Sequence, residues 1–240
     1  MKRRVLCGCL VDAPVEQAAD TLRHPAIDMV EWRLDAYIDR YSIEETTEAL
    51  ALLSAPARHP VLATNRPKRE GGAFEGSEEA RLEILRKAAL AGAEWVDLEA
   101  DVSLDQLQWF KSRGTRIVIS HHEFERTPDR ESLQTTLGAM AQTGAHVVKI
   151  ATRANSPQDN LRVLELIAFG RKEFGVDVIA FCMGQHGRWS RPAGLLLGSP
   201  WTYVQLPGQS AAAPGQFTAH EMRTVLDLLD APTEPSSESI

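Results

Sequence analysis

Cysteine is scarce in these 240 residues: Cys7, Cys9 and Cys182 make an odd set of three with no CxxC spacing. Such a set offers no disulfide framework and no thiolate metal cage, and it points to a reducing compartment, so a cytoplasmic location is expected. Long hydrophobic runs are missing as well. No apolar stretch approaches the roughly 20 residues that span a bilayer. The short Val5-Leu6-Cys7-Gly8-Cys9 segment behind Met1-Lys2-Arg3-Arg4 meets Asp12 before it could form the core of an export signal. Positive charge is in deficit, with 26 Lys and Arg against 33 Asp and Glu, a net charge of -7. That balance argues against nucleic acid as a partner, and any anionic small molecule must be met by locally gathered arginines. Aromatic residues are only 6% of the chain while hydrophobic residues reach 43%, an ordinary composition for a protein with a well-filled core. Finally, no glycine fingerprint follows the first apolar run, which disfavours a nucleotide-binding, doubly wound sheet.

What is present is regular alternation. Strand-like runs at 5–11, 29–35, 61–66, 94–99, 116–122, 146–152, 178–184 and 202–206 are separated by helical patterns at 15–23, 43–54, 77–91, 104–112, 131–143, 157–174, 191–197 and 218–229. Ser77 followed by Glu78 and Glu79 signals a helix start, and Gly92 and Gly144 signal helix exits. Eight β-then-α units predict an α/β chain folded as a single (β/α)8 TIM barrel over residues 1–230. The Pro-, Ser- and Glu-rich residues 231–240 read as a flexible C-terminal tail.

In such a barrel chemistry gathers at the C-terminal strand ends, and strand parity tells which side chains turn inward. Lys149 interrupts the apolar run Ala145-His146-Val147-Val148-Lys149-Ile150-Ala151. Taken alone it reads more simply as a lysine snorkelling to solvent. If Val148 and Ile150 face the helices, however, Lys149 points into the lumen, where burial favours the free amine, a nucleophile toward carbonyl carbon. The same test on the fifth strand sends Ile117, Ile119 and His121 to the helix side and Ser120 and His122 inward. His121 is then a packed core histidine and His122 a proton carrier beside the lysine. Because His121 and His122 point oppositely, they cannot easily chelate one metal ion. In the second strand Glu31, Arg33 and Asp35 share a face opposite Val30, Trp32 and Leu34, so Glu31 and Arg33 are expected inside as an ion pair. Arg66 shares inward parity with Thr64, and Asp97 and Glu99 alternate on the fourth strand, where Glu99 could balance Lys149. Glycines and small residues at 208–216 suit a loop that closes over a ligand. The residues alone leave several enzyme classes open. A class I aldolase would share Lys149, a metal-dependent isomerase or hydrolase would use Glu99 and His122, and a silent barrel would only bind.

The ordered set Glu31-Trp32-Arg33-Leu34-Asp35, Arg66 with Glu70-Gly71-Gly72, Ser120-His121-His122-Glu123-Phe124, Val148-Lys149-Ile150-Ala151, Ser190-Arg191 and Ala213-Pro214-Gly215-Gln216 resembles type I 3-dehydroquinate dehydratases. The resemblance implies dehydration of 3-dehydroquinate to 3-dehydroshikimate in the shikimate pathway, with no metal and no cofactor, by a homodimer. It assigns Lys149 to imine formation, His122 to proton transfer and Glu70 to orienting that histidine. Glu31, Arg33 and Arg66 would hold the ring hydroxyls, Arg191 the substrate carboxylate, and Gln216 the closing loop. One departure stands out: Ala212 occupies the place of the family's loop serine, and Ser210 is the nearest replacement.

Overall fold

The computed structural model describes residues 4–54 and 58–231. Eight parallel strands, β1 (Val5–Leu10), β2 (Met29–Arg33), β3 (Val61–Thr64), β4 (Trp95–Glu99), β5 (Arg116–Glu123), β6 (Val147–Arg153), β7 (Asp177–Met183) and β8 (Trp201–Gln205), form one sheet in the order β7-β6-β5-β4-β3-β2-β1-β8. The helices are α1 (Val15–Thr21), α2 (Leu34–Ile38), α3 (Ile43–Ala49), α4 (Glu78–Ala91), α5 (Leu104–Lys111), α6 (Arg130–Gln142), α7 (Asp159–Phe174), α8 (Ser190–Leu197) and α9 (Ala219–Asp230). The sheet curls into a nearly closed (β/α)8 barrel, the expected fold. Its two end strands meet through side chains: Phe181 of β7 and Tyr203 of β8 lie 6.3 Å apart, and Ser199 Oγ donates to the Val178 carbonyl. Among the described residues, no helix is long and apolar enough to cross a membrane.

Parity along the strands produces two cores. Val30, Trp32, Val96, Leu98, Ile117, Ile119, Val148 and Ile150 face outward and pack under the helices. Cys7, Met29, Leu62, Trp95, Val118, Val147, Ile179 and Trp201 face inward and plug the lower lumen, where the Trp95 and Trp201 rings meet edge to face at 5.1 Å. Above this plug the next inward positions on β2 to β6 are Glu31, Thr64, Asp97, Ser120 and Lys149, all buried and all polar, while β7, β8 and β1 place Phe181, Tyr203 and Cys9 there. On the β2 to β6 side the upper lumen is thus an ionic layer standing on an apolar floor.

The helices begin and end where local chemistry dictates. Ser77, Ser103, Asp129 and Thr218 each accept a backbone N–H from the first turn of α4, α5, α6 and α9. Gly92 closes α4 at φ 115°, in the left-handed region that suits glycine. Several element ends fall a residue or two from the sequence reading, as where the third strand stops at Thr64, and two differences have a visible cause. The second strand stops at Arg33 because α2 begins at once, with Asp35 in its first turn accepting from the Arg33 guanidinium and the Ala73 N–H. The segment 43–54 divides into α3 and a tighter 3-10 turn, Leu50–Ser54. Of the expected tail, residues 232–240 lie outside the described residues.

Candidate active site

A cavity of about 110 Å³ opens at the C-terminal end of the barrel, with Lys149, His122, Glu31, Arg33, Arg66, Glu70 and Arg191 in its wall and Gln216 in its roof. All eight residues to which the family resemblance gives a role therefore converge on one pocket, while Glu99 does not line it. Lys149 is 5% exposed. Its Nζ donates to Asp97 Oδ2 at 3.2 Å, lies 4.0 Å from Glu31 Oε1 and stands 4.5 Å above the Tyr203 ring centre. The acid that touches the amine is thus Asp97, not Glu99. Glu99 instead accepts from Arg66 at 2.6 Å and lies 3.9 Å from Arg81.

His122 projects from β5 one step nearer the barrel mouth than Ser120, which pairs with Lys149 across the β5–β6 ladder. Glu70 Oε2 accepts the backbone N–H of His122 at 3.1 Å and faces its Nδ1 at 3.1 Å. A carboxylate there selects the tautomer with hydrogen on Nδ1, leaving the Nε2 lone pair free for the pocket. Burial, the Arg66 guanidinium and the Lys149 ammonium all push the imidazole well below its ordinary 6.5, so His122 is held neutral, with a lone pair available to take up a proton. Glu70 reaches the ring because Gly71 and Gly72 turn the chain behind it. Gly71 has φ 74°, and a Cβ on Gly72 would lie 2.0 Å from the Arg66 carbonyl oxygen. His121, by contrast, is half-buried rather than a packed core residue, because β5 runs on past the end of the helical cover.

The two arginines on the β2 and β3 sides are already committed. Arg33 binds Asp35 through Nε and Nη2 at 2.9 and 2.7 Å, so the expected Glu31–Arg33 pair does not form. The reason is local: α2 brings Asp35 back onto the guanidinium, while Glu31 accepts from Thr64 Oγ1 at 2.9 Å and Cys9 Sγ at 3.2 Å. Arg66 bonds Asp97, Glu99 and Ser120. Asp97 is pushed up by burial, but Arg66 and Lys149 outweigh that effect and hold it below the usual carboxylate range. Glu99 is pushed up to about 7 by burial; Arg66 pulls it the other way, and the Asp97 and Glu70 carboxylates side with burial.

Arg191 is the contrasting case. It is 1% exposed in the first turn of α8, yet among the described residues its Nε and Nη1 have no hydrogen-bond partner. Its Nη2 reaches only the Pro214 carbonyl, at 3.4 Å, and the guanidinium lies 4.3 Å from the Phe181 ring centre. Burial pulls its pKa from 12.5 down to about 10, a sign of a cation awaiting an anion.

The roof is tied down at several points. Ala212 N–H donates to Gln216 Oε1 at 2.8 Å, Gln216 Nε2 donates to Cys9 Sγ at 3.2 Å, and Gly184 N–H donates to the Pro214 carbonyl at 3.2 Å. Ser210 does not replace the missing loop serine. Its hydroxyl and N–H both bind Asp12, outside the pocket. As for a metal, Glu70, Glu99 and His122 each bring a ligand atom within 4.8 Å of the others. Glu99 Oε2 has no partner among the described residues, but Arg66, bonded to Oε1 at 2.6 Å, sets a fixed cation beside that trio. Sequence reasoning missed the role of Asp97 and the ring floor of Tyr203. The inward parity of Asp97 with Glu99 was the available signal for the first, and the inward face of β8 for the second.

The model of the type I 3-dehydroquinase family matches residues 6–232. The chain belongs to the type I 3-dehydroquinase family. It is 52% identical over 227 residues to the 3-dehydroquinate dehydratase of Syntrophobacter fumaroxidans, covering 95% of this chain and 97% of that one. The Desulfotalea psychrophila enzyme of the same name is 37% identical, over 94% and 98% of the two chains. The crystal structure of 3-dehydroquinate dehydratase from Geobacillus kaustophilus superposes with a TM-score of 0.86 at 28% identity, covering 97% of this chain and 93% of the other. Membership makes the chain an enzyme of the hydro-lyase class and gives the pocket a reaction type to serve.

Proposed function

We propose that this pocket dehydrates 3-dehydroquinate to 3-dehydroshikimate through an imine on Lys149, with His122 as general acid and base. One observation carries the reading: the Lys149 amine, the neutral His122 imidazole and the Arg191 guanidinium, whose Nε and Nη1 have no partner among the described residues, line a single cavity. The substrate carboxylate completes Arg191, whose planar fork matches it and whose place in the first turn of α8 lets the helix dipole assist. That anchor fixes the ring with its ketone toward Lys149. Attack by Nζ forms the carbon–nitrogen bond, and the carbonyl oxygen leaves as water after proton transfers through His122. The protonated imine draws electrons from the neighbouring carbon, so a modest base suffices to remove its proton. His122 takes that proton on Nε2. The imidazolium then gives it to the departing β-hydroxyl, breaking the carbon–oxygen bond and releasing a second water. Water adds to the imine carbon, the carbon–nitrogen bond breaks, and the amine returns. The net change is loss of one water.

Glu70 keeps the imidazole in the useful tautomer. Glu31 and the pocket edges of Arg33 and Arg66 meet ring hydroxyls, and Gln216 closes the roof. The family neighbour from Clostridium difficile, with a TM-score of 0.83 at 27% identity, was crystallised with covalent modified comenic acid, which supports covalent chemistry in such a site. Borohydride reduction in the presence of 3-dehydroquinate tests the proposal. The expected product carries the reduced substrate on Lys149; an active enzyme left unmodified there would refute the imine. We also infer a homodimer, on the family resemblance, and a reducing, cytoplasmic setting, on the three free buried thiols. Light scattering at working concentration tests the former.

A further inference from the structure

We propose that Asp97 is a positioning residue that serves, with Ser120 and Arg66, as the fixed counter-ion of the imine on Lys149. The inference deepens the preceding reading and rests on its imine. Two carboxyl groups approach the Lys149 amine, and their surroundings give them different work. Glu31 lies 4.0 Å away, faces the cavity and is bonded to the neutral groups of Thr64 and Cys9, partners that a substrate hydroxyl can replace. Asp97 lies 3.2 Å away, its side chain is fully buried, and it does not line the cavity. It acts through the cavity residues it holds, Lys149 and Arg66.

Its own partners leave it no freedom. Oδ1 accepts the Ser120 hydroxyl, Oδ2 accepts Arg66 Nη2 at 2.6 Å, and the same Oδ2 accepts Lys149 Nζ. Ser120 also accepts from Arg66 Nη1 at 2.7 Å, and it stands directly opposite Lys149 in the β5–β6 register. Groups from β5, β6 and the end of β3 thus clamp one carboxylate on β4. Such a group needs no reorganisation when charge moves above it, and that is the condition under which a buried charge favours a cationic intermediate. The iminium nitrogen occupies the place of the ammonium and carries the same charge. Sharing Oδ2 with Arg66 moderates the hold on Lys149, which must still release a proton before it can attack. The other groups near the nitrogen are Glu31, the Tyr203 ring, the neutral His122 and Arg66, and of these the Arg66 cation opposes a second positive charge there. Asp97 offsets it.

Asp97→Asn keeps the shape and an acceptor for Ser120 but removes the charge. In the full-length enzyme it should lower kcat by about 100-fold, the scale of losing one preorganised electrostatic partner, with KM little changed because Asp97 does not reach the substrate. Borohydride reduces the protonated imine. The trapped fraction in wild type should therefore hold level from slightly acid to slightly alkaline pH, while in Asp97→Asn it should fall as pH rises. A purely structural role would not move that profile. Ser120→Ala, which loosens the clamp without touching the charge, should lower kcat in the same direction by a smaller factor, and it decides the matter if Asp97→Asn fails to fold. Wild-type kcat and a level trapping profile in these variants would overturn the inference. Absence of trapping in wild type would instead overturn the imine itself.

Discussion

Arg191→Met isolates the price of holding a guanidinium without its anion. Methionine keeps most of the stem that packs beside Phe181 and removes the charge. In the unliganded enzyme, burial lowers this group from 12.5 to about 10. At about 1.4 kcal/mol per tenfold, the fold carries a penalty of about 3 kcal/mol, an order-of-magnitude figure for a side chain 1% exposed. Removing a lone buried charge relieves that penalty, less the single weak bond to the Pro214 carbonyl. We expect a net gain of about 1–3 kcal/mol, which for a chain of this size raises the thermal midpoint by roughly 2–12 °C.

Substrate binding should move the opposite way. Nε and Nη1 are both open, and a hydrogen bond between charged groups contributes about 1.5–3 kcal/mol. Losing the pair, about 3–6 kcal/mol, should raise KM by about 100-fold to 10,000-fold, with a smaller fall in kcat because the lysine and histidine stay in place. Differential scanning calorimetry without ligand and steady-state kinetics by enone absorbance together read both effects. A variant that is less stable when empty and binds substrate as well as wild type would refute the assignment of Arg191 as the carboxylate receptor.

Three other outcomes follow from the geometry. His122 sits well below 6.5 in the fold, so it stays a base as pH falls through that value, and the acid limb of kcat/KM should lie below 6.5. The unfolded chain takes up the proton that the fold refuses, so this group's contribution to stability also falls as pH drops below 6.5; a rate profile breaking at or above 6.5 would contradict both. Gly72→Ala would place a Cβ 2.0 Å from the Arg66 carbonyl oxygen and should cost about 1–3 kcal/mol, as overpacking does, while displacing Glu70 from His122. An unchanged thermal midpoint in urea-free melts would count against that fit. Gly215→Ala combines φ 80° with a Cβ 2.7 Å from the Gly184 carbonyl oxygen. It should cost about 1–2 kcal/mol from the left-handed backbone alone and raise KM by loosening the roof, measurable as a faster substrate off-rate.

The barrel was legible because its outward strand faces are continuous: Val30, Trp32, Ile117, Ile119, Val148 and Ile150 leave their alternates nowhere to point but inward. That argument reached Glu31, Arg33, Asp97, Glu99, His122 and Lys149 without coordinates. It stopped at pairing, since which charges touch depends on stagger between strands and on loops that return from elsewhere. Arg33 meets Asp35 only because α2 starts one residue after the strand ends. Glu99 was a reasonable partner for Lys149 until the register placed Asp97 lower in the lumen, beside the lysine, and Arg66 claimed both acids. Ser210 was close in sequence to the missing loop serine, but the turn at Gly208 aims it at Asp12.

The ionic layer makes sense only as a division of labour. Glu31, Arg66, Asp97, Glu99 and Lys149 are each at most 5% exposed, and buried pairs of this kind at best break even against apolar side chains of equal size. The floor of the same lumen, built from Met29, Leu62, Val118 and Ile179, shows that apolar side chains do fill this barrel elsewhere. Stability therefore does not account for the upper layer. Where anion and cation are paired, as in Arg66 with Asp97 and Glu99, the geometry is fixed before a ligand arrives, and through Asp97 this set holds the amine in place while Glu70 holds the imidazole. Arg191 is left without an anion among the described residues, and on that uncompensated charge we rest the proposal that a substrate carboxylate enters there.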